Sequence, residues 1–586
     1  MCGIAGVVSE LPVERSRLQR ALSALSTRGP DGSGSWWNED GTVGLGHRRL
    51  AINGRDEGAQ PMVESASAGV VNGEFYGLPS RYDGISDSRA LPDLVAEQGW
   101  EGALKGLRGE FSLLHYDRPT DTLYVARDRF GVKPLFWARR GREIWFASKA
   151  SALWAAGVDA GWCRESFLQA AAGQYPPAGR SLFEGIHTVR PGHFLRVKTG
   201  RVGETRYWAP PKASPLACRD PVGAFKETLQ ESVTLRLRRG HQNAVLLSGG
   251  VDSAAVCALA SRSGERVKAY TVDFPEAAGS SFSEGALARK QAAYSQLECE
   301  VIPLTRADIL SSLPTTVKQL EGLVVNGHAV GKWMLARAVS EDRTKVLLSG
   351  EGSDELLYGY RHFKPYFGGT GTIEDPAGLG ILVSSQVGSP LEQDVPHFFH
   401  SKYHLGARIL SLMGADVDQS QVFRGRLEDA GTGSPREIAR SAWLTSALQG
   451  YILEVLGDGA EMAHSVEGRP PFLDHHLWEM VSKLPTKCLD GEKSLLRESM
   501  KGLVIEEIRN KAKHPFMAPS LGIKLVDLLI EKVGSVNHSM VRRRSALSKL
   551  RLLQEMAPRE RQEWEPALMW LLSSYYLQEL WSEPGV

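Results

Sequence analysis

Over the first two hundred residues, apolar positions come in short continuous or alternating runs broken by Gly, Asp and Pro. Gly3–Val8 (GIAGVV), Gly69–Gly77 (GVVNGEFYG), Phe111–Asp117 (FSLLHYD) and Thr122–Asp128 (TLYVARD) are the clearest. Runs of this length predict strands, with helices such as Leu18–Ser26 and Leu91–Gln98 between them. Arg206–Pro221 (RYWAPPKASPLACRDP) carries four prolines and little periodicity, and predicts a linker. From Val222 the pattern changes. A helix at Phe225–Leu237 precedes a buried strand at Asn243–Ser248 and a helix at Ser253–Ser261. A strand at Val267–Phe274, a helix near Glu284–Tyr294 and strands at Cys299–Leu304 and Lys345–Ser349 follow. Strands alternating with helices predict a doubly wound parallel sheet. Beyond Trp443 the pattern is mainly helical. The stretch from about Phe367 to Glu437 mixes Gly, Pro and polar residues and is the least readable.

A chain of 586 residues holds two to four domains. A formal net charge of +1 implies no polyanionic partner, and no basic region predicts nucleic-acid binding. No run of eighteen apolar residues predicts a membrane helix, and MCGIAGVVSELPVERS does not read as a signal peptide. The six cysteines include no CxxC pair, so neither a disulfide framework nor a zinc site is expected, and a reducing cytoplasm is. Cys2 alone stands in an unusual place.

Two clusters carry chemistry. SGGVDS (Ser248, Gly249, Gly250, Val251, Asp252, Ser253) follows an apolar strand and opens a helix. Small residues let backbone close around phosphate oxygens, and the helix N-terminus offers free N–H groups to an anion. Asp252 there suits magnesium, which takes carboxylates together with phosphate oxygens. SGEGSDE (Ser349–Glu355) also follows a buried strand. Two such strand ends can hold one nucleotide between them, with Ser349 and Gly350 against it, Asp354 as a second magnesium ligand and Glu351 facing an acceptor. Taken alone, the second cluster reads equally as a solvated acidic turn.

SGGVDS resembles the pyrophosphate loop of the N-type ATP pyrophosphatases. With SGEGSDE, EGRPPFLD (Glu467–Asp474), KSLLRE (Lys493–Glu498) and AKHPFMAP (Ala512–Pro519), it resembles class B, glutamine-hydrolysing asparagine synthetase. The resemblance implies activation of a carboxylate by ATP and Mg2+ as an acyl-adenylate, with Leu247 and Val272 completing the nucleotide site and Lys493 stabilising charge at the α-phosphate. Lys513 and Arg469 match basic motif positions, and each reads equally as a structural ion pair.

The N-terminal half resembles the same family through CGI–GVV, RGPDGSG (Arg28–Gly34), GHRRLAI (Gly46–Ile52), VNGEFYG (Val71–Gly77) and ISDS (Ile85–Ser88). The resemblance implies that, if Met1 is removed, Cys2 is an N-terminal nucleophile whose own amine acts as base. It implies Asn72 and the Gly73 N–H as oxyanion hole, Arg49 on the glutamine carboxylate, Asp87 on its amino group, and Ile52 and Glu74 completing the glutamine site. The implied architecture is an Ntn-type αββα glutaminase sandwich over residues 1–205, a linker over 206–221, and an α/β ATP-pyrophosphatase domain with a helical extension over 222–586. Glutamine and a carboxylic acid are the implied substrates, with an internal tunnel for ammonia. A homodimer is compatible with the resemblance.

Some positions depart from the family. Thr27 stands where His is common before RGPD, Arg89 replaces an acidic residue, the loop between VNGEFYG and ISDS is short, and Gly459 stands where many relatives carry Arg. Glu321–Ala338, the region implied to face the acceptor, offers Asn326, His328 and Lys332 as its polar groups. Thr27, Arg89 and the short loop bear on the glutaminase, whereas Glu321–Ala338, Gly459 and the long stretch Phe367–Glu437 leave the acceptor open between aspartate and another carboxylic acid of specialised biosynthesis. A cyclase of the β-lactam synthetase or lasso-peptide type, which joins an internal amine, is disfavoured by the retention of Cys2, Arg49, Asn72 and Asp87. Sugar-phosphate and phosphoribosyl amidotransferases lack SGGVDS, and a non-catalytic scaffold would be expected to lose Cys2, Asp252 or Asp354.

Overall fold

A computed structural model describes residues 2–53, 58–82, 85–198, 200–277, 284–367, 397–490, 492–511 and 518–581. Its N-terminal half contains twelve strands: β1 (Gly3–Ser9), β2 (Gly32–Trp37), β3 (Val43–Arg49), β4 (Met62–Val63), β5 (Ser67–Tyr76), β6 (Arg108–Asp117), β7 (Thr122–Arg127), β8 (Phe136–Arg140), β9 (Glu143–Ala147), β10 (Ile186–Thr188), β11 (His193–Lys198) and β12 (Arg201–Arg206). They pair antiparallel into two sheets, β10-β8-β9-β1-β3-β2 and β12-β11-β7-β6-β5-β4. Ile4, Leu45, Val70, Leu114, Val125 and Phe146 fill the space between the sheets. A helix at Arg15–Ala24 covers the outer face of the first sheet, and one at Ala90–Gly106 covers the second through Leu91, Trp100 and Leu104. This is the αββα sandwich that the resemblance implied. The second helix breaks at Gly99, which adopts φ +70, one residue past the predicted helix end at Gln98.

The C-terminal half is built on five parallel strands, β13 (Gln242–Leu246), β14 (Arg266–Asp273), β15 (Cys299–Pro303), β16 (Val346–Leu348) and β17 (Glu467–Arg469), in the order β15-β14-β13-β16-β17. The chain winds outward from β13 in both directions, so the carboxyl ends of β13 and β16 form a topological switch point, where open α/β sheets bind ligands. SGGVDS follows β13 and SGEGSDE follows β16. Strand β17 is a correction to the helical expectation beyond Trp443. Three residues with charged ends and a central Gly carry no strand signal, and tertiary pairing with β16 makes them one.

Two helices, His397–Met413 and Gln419–Ala430, emerge from the segment that sequence left unread, and they dock on the sandwich helix Arg164–Gly173. The residues from Leu444 to Gly459 wind as a π-helix, a rare form that concentrates at functional sites. The two halves are joined by buried ion pairs. Arg236 bridges Glu110 (2.8 Å) and Asp474 (2.9 Å), and Arg108 also reaches Asp474 (2.9 Å). The proline-rich connection is not free either: the N–H groups of Ser214 and Leu216 donate to the carbonyls of Ser482 and Lys483. Among the described residues, no helix is long and apolar enough to cross a membrane.

Candidate active sites

Cys2 immediately precedes β1 and is buried. Its backbone N–H donates to Asn72 Oδ1 (2.9 Å), and its carbonyl accepts from Arg28 Nε (3.1 Å). Asn72 lies in β5, with Nδ2 donating to Ser112 Oγ at 3.3 Å. The next residue, Gly73, has φ +145, and a Cβ there would sit 2.0 Å from the Glu110 carbonyl oxygen, so only glycine fits. The Phe75 N–H donates to Asp87 Oδ2 (2.8 Å). Glu74 accepts from Asn53 Nδ2 (2.6 Å). Arg49 ends β3 and donates to the Asn53 carbonyl (3.2 Å). Leu50, next in sequence, brings its backbone to the Cys2 thiol, and Ile52 is buried close by in sequence. The predicted first-site residues thus converge on the ends of β1, β3 and β5.

Sequence reasoning missed what stands behind them. Arg469 of β17 pairs with Glu74 (3.0 Å) and with Glu467 (2.6 Å), so the parallel sheet of one half supplies buried charges to the other half's site. Arg469 is therefore an interdomain ion-pair residue, one of the two readings its motif position left open. Burial, reinforced by Glu467, lifts the Asp87 carboxyl to about 6. Burial opposes ionisation of Glu467 as well, but the adjacent Arg469 guanidinium holds it far below the usual carboxylate range. Burial also pushes the Cys2 thiol up.

The second site is a cavity of about 310 Å³ at the switch point. Leu247, Ser248, Asp252, Ser253, Val272, Ser349, Gly350, Glu351 and Asp354 all line it; Gly249, Gly250 and Lys493 are not part of its lining. Gly249 turns the first loop at φ +68. Gly350 presses the second loop onto the first, since a Cβ there would lie 2.9 Å from the Ser253 nitrogen. Lys493 enters from behind and is clamped between Asp252 (2.7 Å) and Asp354 (2.5 Å). Gly359, which sequence reasoning passed over, makes room for it, because a Cβ there would meet Lys493 Cε at 1.8 Å. Two carboxylates beside a phosphate-type loop fit magnesium, provided that phosphate oxygens and water complete its shell. No group of three metal-ligating side chains exists among the described residues to hold it unaided. Lys332 pairs with Glu351 on the cavity wall. Glu355 accepts from Trp443 Nε1 (2.9 Å) and Tyr360 (3.0 Å), and burial with the neighbouring Asp354 lifts its carboxyl to about 7. The AKHPFM part of the last motif, Lys513 included, lies outside the described residues.

Between the sites, Arg28 joins the Cys2 carbonyl to Asp458 on the π-helix through contacts of 2.5 and 3.1 Å. A cavity of about 30 Å³ lies beside this pair, lined from both halves by Thr27, Arg28, Glu321, Asp458 and Gly459. Two of the departures from the family, Thr27 and Gly459, therefore line a cavity where the two halves meet. Arg89 instead makes an exposed pair with Glu64 at 3.9 Å. Asp458→Ala leaves Arg28 buried without its carboxylate and is expected to cost roughly 3–5 kcal/mol in denaturant unfolding. Glu461, which follows the π-helix, is lifted to about 8 by burial, with Lys332 opposing and Glu351 reinforcing. A carboxyl raised in the fold adds stability that is complete below its unfolded value near ~4.3 and is lost as pH rises through about 8. Glu461→Gln should accordingly match the parent in urea midpoint near pH 4 and exceed it increasingly towards pH 9.

An N-terminal antiparallel sandwich bearing Cys2, joined to a doubly wound sheet bearing a phosphate-type loop, defines a two-centre enzyme. The family model for a glutamine amidotransferase domain matches residues 1–208, and that for asparagine synthase matches residues 224–583. Relatives include the amidase chry2 of Gibberella zeae, 28% identical over 89% of both chains, and the amidase chyE of Penicillium rubens, 29% identical over 86% of this chain and 84% of that one. Asparagine synthetase [glutamine-hydrolyzing] 1 of Bacillus subtilis is 26% identical over 89% of this chain and 87% of its own. The chain belongs to the asparagine synthase family. It is a glutamine-hydrolysing ligase that uses ATP to make an amide.

Proposed function

We propose that the Cys2 thiol, with its α-amine freed by removal of Met1, attacks the side-chain amide of glutamine. The amine takes the thiol proton, and the carbonyl oxygen gathers charge opposite Asn72 Nδ2 and the Gly73 N–H. Ammonia leaves, and water then hydrolyses the thioester to glutamate. The Arg49 guanidinium holds the substrate carboxylate, Asp87 and Glu74 face its ammonium, and Ile52 forms part of the wall. Raised only to about 6, the Asp87 carboxyl is still charged at neutral pH. Ammonia passes by the Arg28–Asp458 junction to the second site.

There ATP lies across the two loops, with Leu247 and Val272 beside it and phosphates against Ser248, Gly249, Gly250, Ser253, Ser349 and Gly350. Asp252 and Asp354 would hold Mg2+, which would supply charge neutralisation on the phosphates. An acceptor carboxylate oxygen attacks the α-phosphorus, pyrophosphate departs, and Lys493 balances the charge. Ammonia then attacks the acyl carbon, AMP leaves, and Glu351 takes the surplus proton. The observation that carries this reading is the single cavity shared by SGGVDS, SGEGSDE and Glu351, with Lys493 clamped between the two aspartates. Incubation with amide-15N glutamine, ATP, magnesium and a set of carboxylic acids including aspartate tests it by mass spectrometry. One labelled amide, one AMP and one pyrophosphate should form per glutamine consumed through synthesis. ADP and phosphate as products would overturn the adenylation step.

A further inference from the structure

The cavity does not end at Glu351. Lys332, the partner of Glu351, lies one helical turn beyond His328 on the helix His328–Glu341. His328 Nε2 lies 3.2 Å from the Tyr451 hydroxyl, the Tyr451 and Tyr175 rings stand 5.7 Å apart, and Lys402 Nζ sits 5.4 Å from the Tyr175 centroid. All of these residues line the same cavity. An aromatic wall thus runs from the proposed acyl-transfer position to a lysine, and the proposed nucleotide and ammonia sites make no use of its far end.

Lys402 is only 4% exposed. Its ammonium donates to Gln174 Oε1 at 2.5 Å, and no carboxylate pairs with it among the described residues. Burial and the like charge of Arg426 lower it to about 7. A buried cation without a counter-ion is costly, and the fold goes to some length to place this one. Gln174 adopts φ +76, a strained conformation for a residue with a side chain. Gly406 abuts the Ala172 carbonyl so tightly that a Cβ would lie 1.9 Å from its oxygen. Gln419 donates to the same carbonyl (2.9 Å), and Arg426 donates to those of Gly173 (3.0 Å) and Tyr175. The helices from the unread segment therefore clasp the backbone at 172–175 and deliver Lys402 to the cavity.

We infer that Lys402 receives the far end of the acceptor: an acid with a flat, apolar body along Tyr175 and Tyr451 and a second anionic group opposite the carboxylate that is adenylated. This rests on the adenylating reading above. Aspartate fits the wall poorly. It needs an acidic partner for its ammonium, and the carboxylates lining the cavity are already engaged: Asp252 and Asp354 by Lys493, Glu351 by Lys332, Glu284 by Lys511, and Glu355 by Trp443 and Tyr360. On the far side stand tyrosines, Val325, and a His328 held neutral by burial.

Pyrophosphate exchange into ATP, catalysed by the full-length enzyme with magnesium, provides the test, using aspartate, benzoate, benzene-1,3-dicarboxylate and benzene-1,4-dicarboxylate as probes. A dicarboxylate should exceed both benzoate and aspartate at least tenfold in kcat/KM, and Lys402→Met should collapse the dicarboxylate-to-benzoate ratio. Glutaminase activity of the variant reports that it has folded. Thermal stabilisation of the parent by dicarboxylate over benzoate supplies the same comparison without a variant. Preference for aspartate, or a Lys402→Met loss that scales all acids equally, would overturn the inference and leave adenylation standing. Exchange with none of the acids, together with no dicarboxylate-specific stabilisation, would overturn both.

Discussion

Cys2→Ala is expected to lower glutamine-dependent amide synthesis by roughly 10³-fold or more while synthesis from ammonium salts persists. In the proposed first half-reaction the thiol is the bond-forming atom. The second cavity is built from other residues, so supplying ammonia from solution bypasses the loss. Since Cys2 is buried against the ends of β3 and β5, an alanine leaves a small void and the fold should survive. Paired assays with glutamine and with ammonium chloride distinguish the outcomes. Loss of both activities would refute the division into two sites.

Asp252→Ala is expected to lower ATP–pyrophosphate exchange by roughly 10²–10³-fold, with glutamine hydrolysis less affected. Asp252 does three things: it lines the cavity, clamps Lys493 at 2.7 Å and accepts from Ser353 Oγ at 2.8 Å. Its removal takes away the proposed magnesium ligand and leaves Lys493 to swing fully onto Asp354. Retained exchange would sink the assignment of the loop, whereas lost exchange with intact glutaminase activity would support it.

The strands and helices around SGGVDS were legible because β13 ends in an apolar run, Ala244–Leu246, the helix after it is apolar from Ala254 to Ala260, and loop glycines punctuate them. The αββα layers were legible from ordered motifs, whose residues proposed for the first site lie together at the ends of β1, β3 and β5. Lys402, Gln174 and Tyr175 were not. They come from two separate segments, one of them without readable periodicity, brought together by contacts at Ala172–Tyr175. The roles of Glu467 and Arg469 were hidden for a related reason. Their motif was visible, but its partner, Glu74, lies almost four hundred residues earlier. Periodicity reports local faces, whereas these features are set by which two faces touch.

That contact also limits how such enzymes can be rebuilt. The proline-rich connection invites a seam between the halves, with a new ligase grafted onto an old glutaminase. Arg469 lies beyond that seam yet serves as the buried counter-charge of Glu74, and Glu467 beside it pushes Asp87 up. A hybrid joined at the linker would inherit a glutamine pocket whose electrostatic backing came from a foreign sheet. The transferable unit is residues 1–208 together with a compatible Glu-Gly-Arg strand, so the functional boundary is not a single cut in the chain.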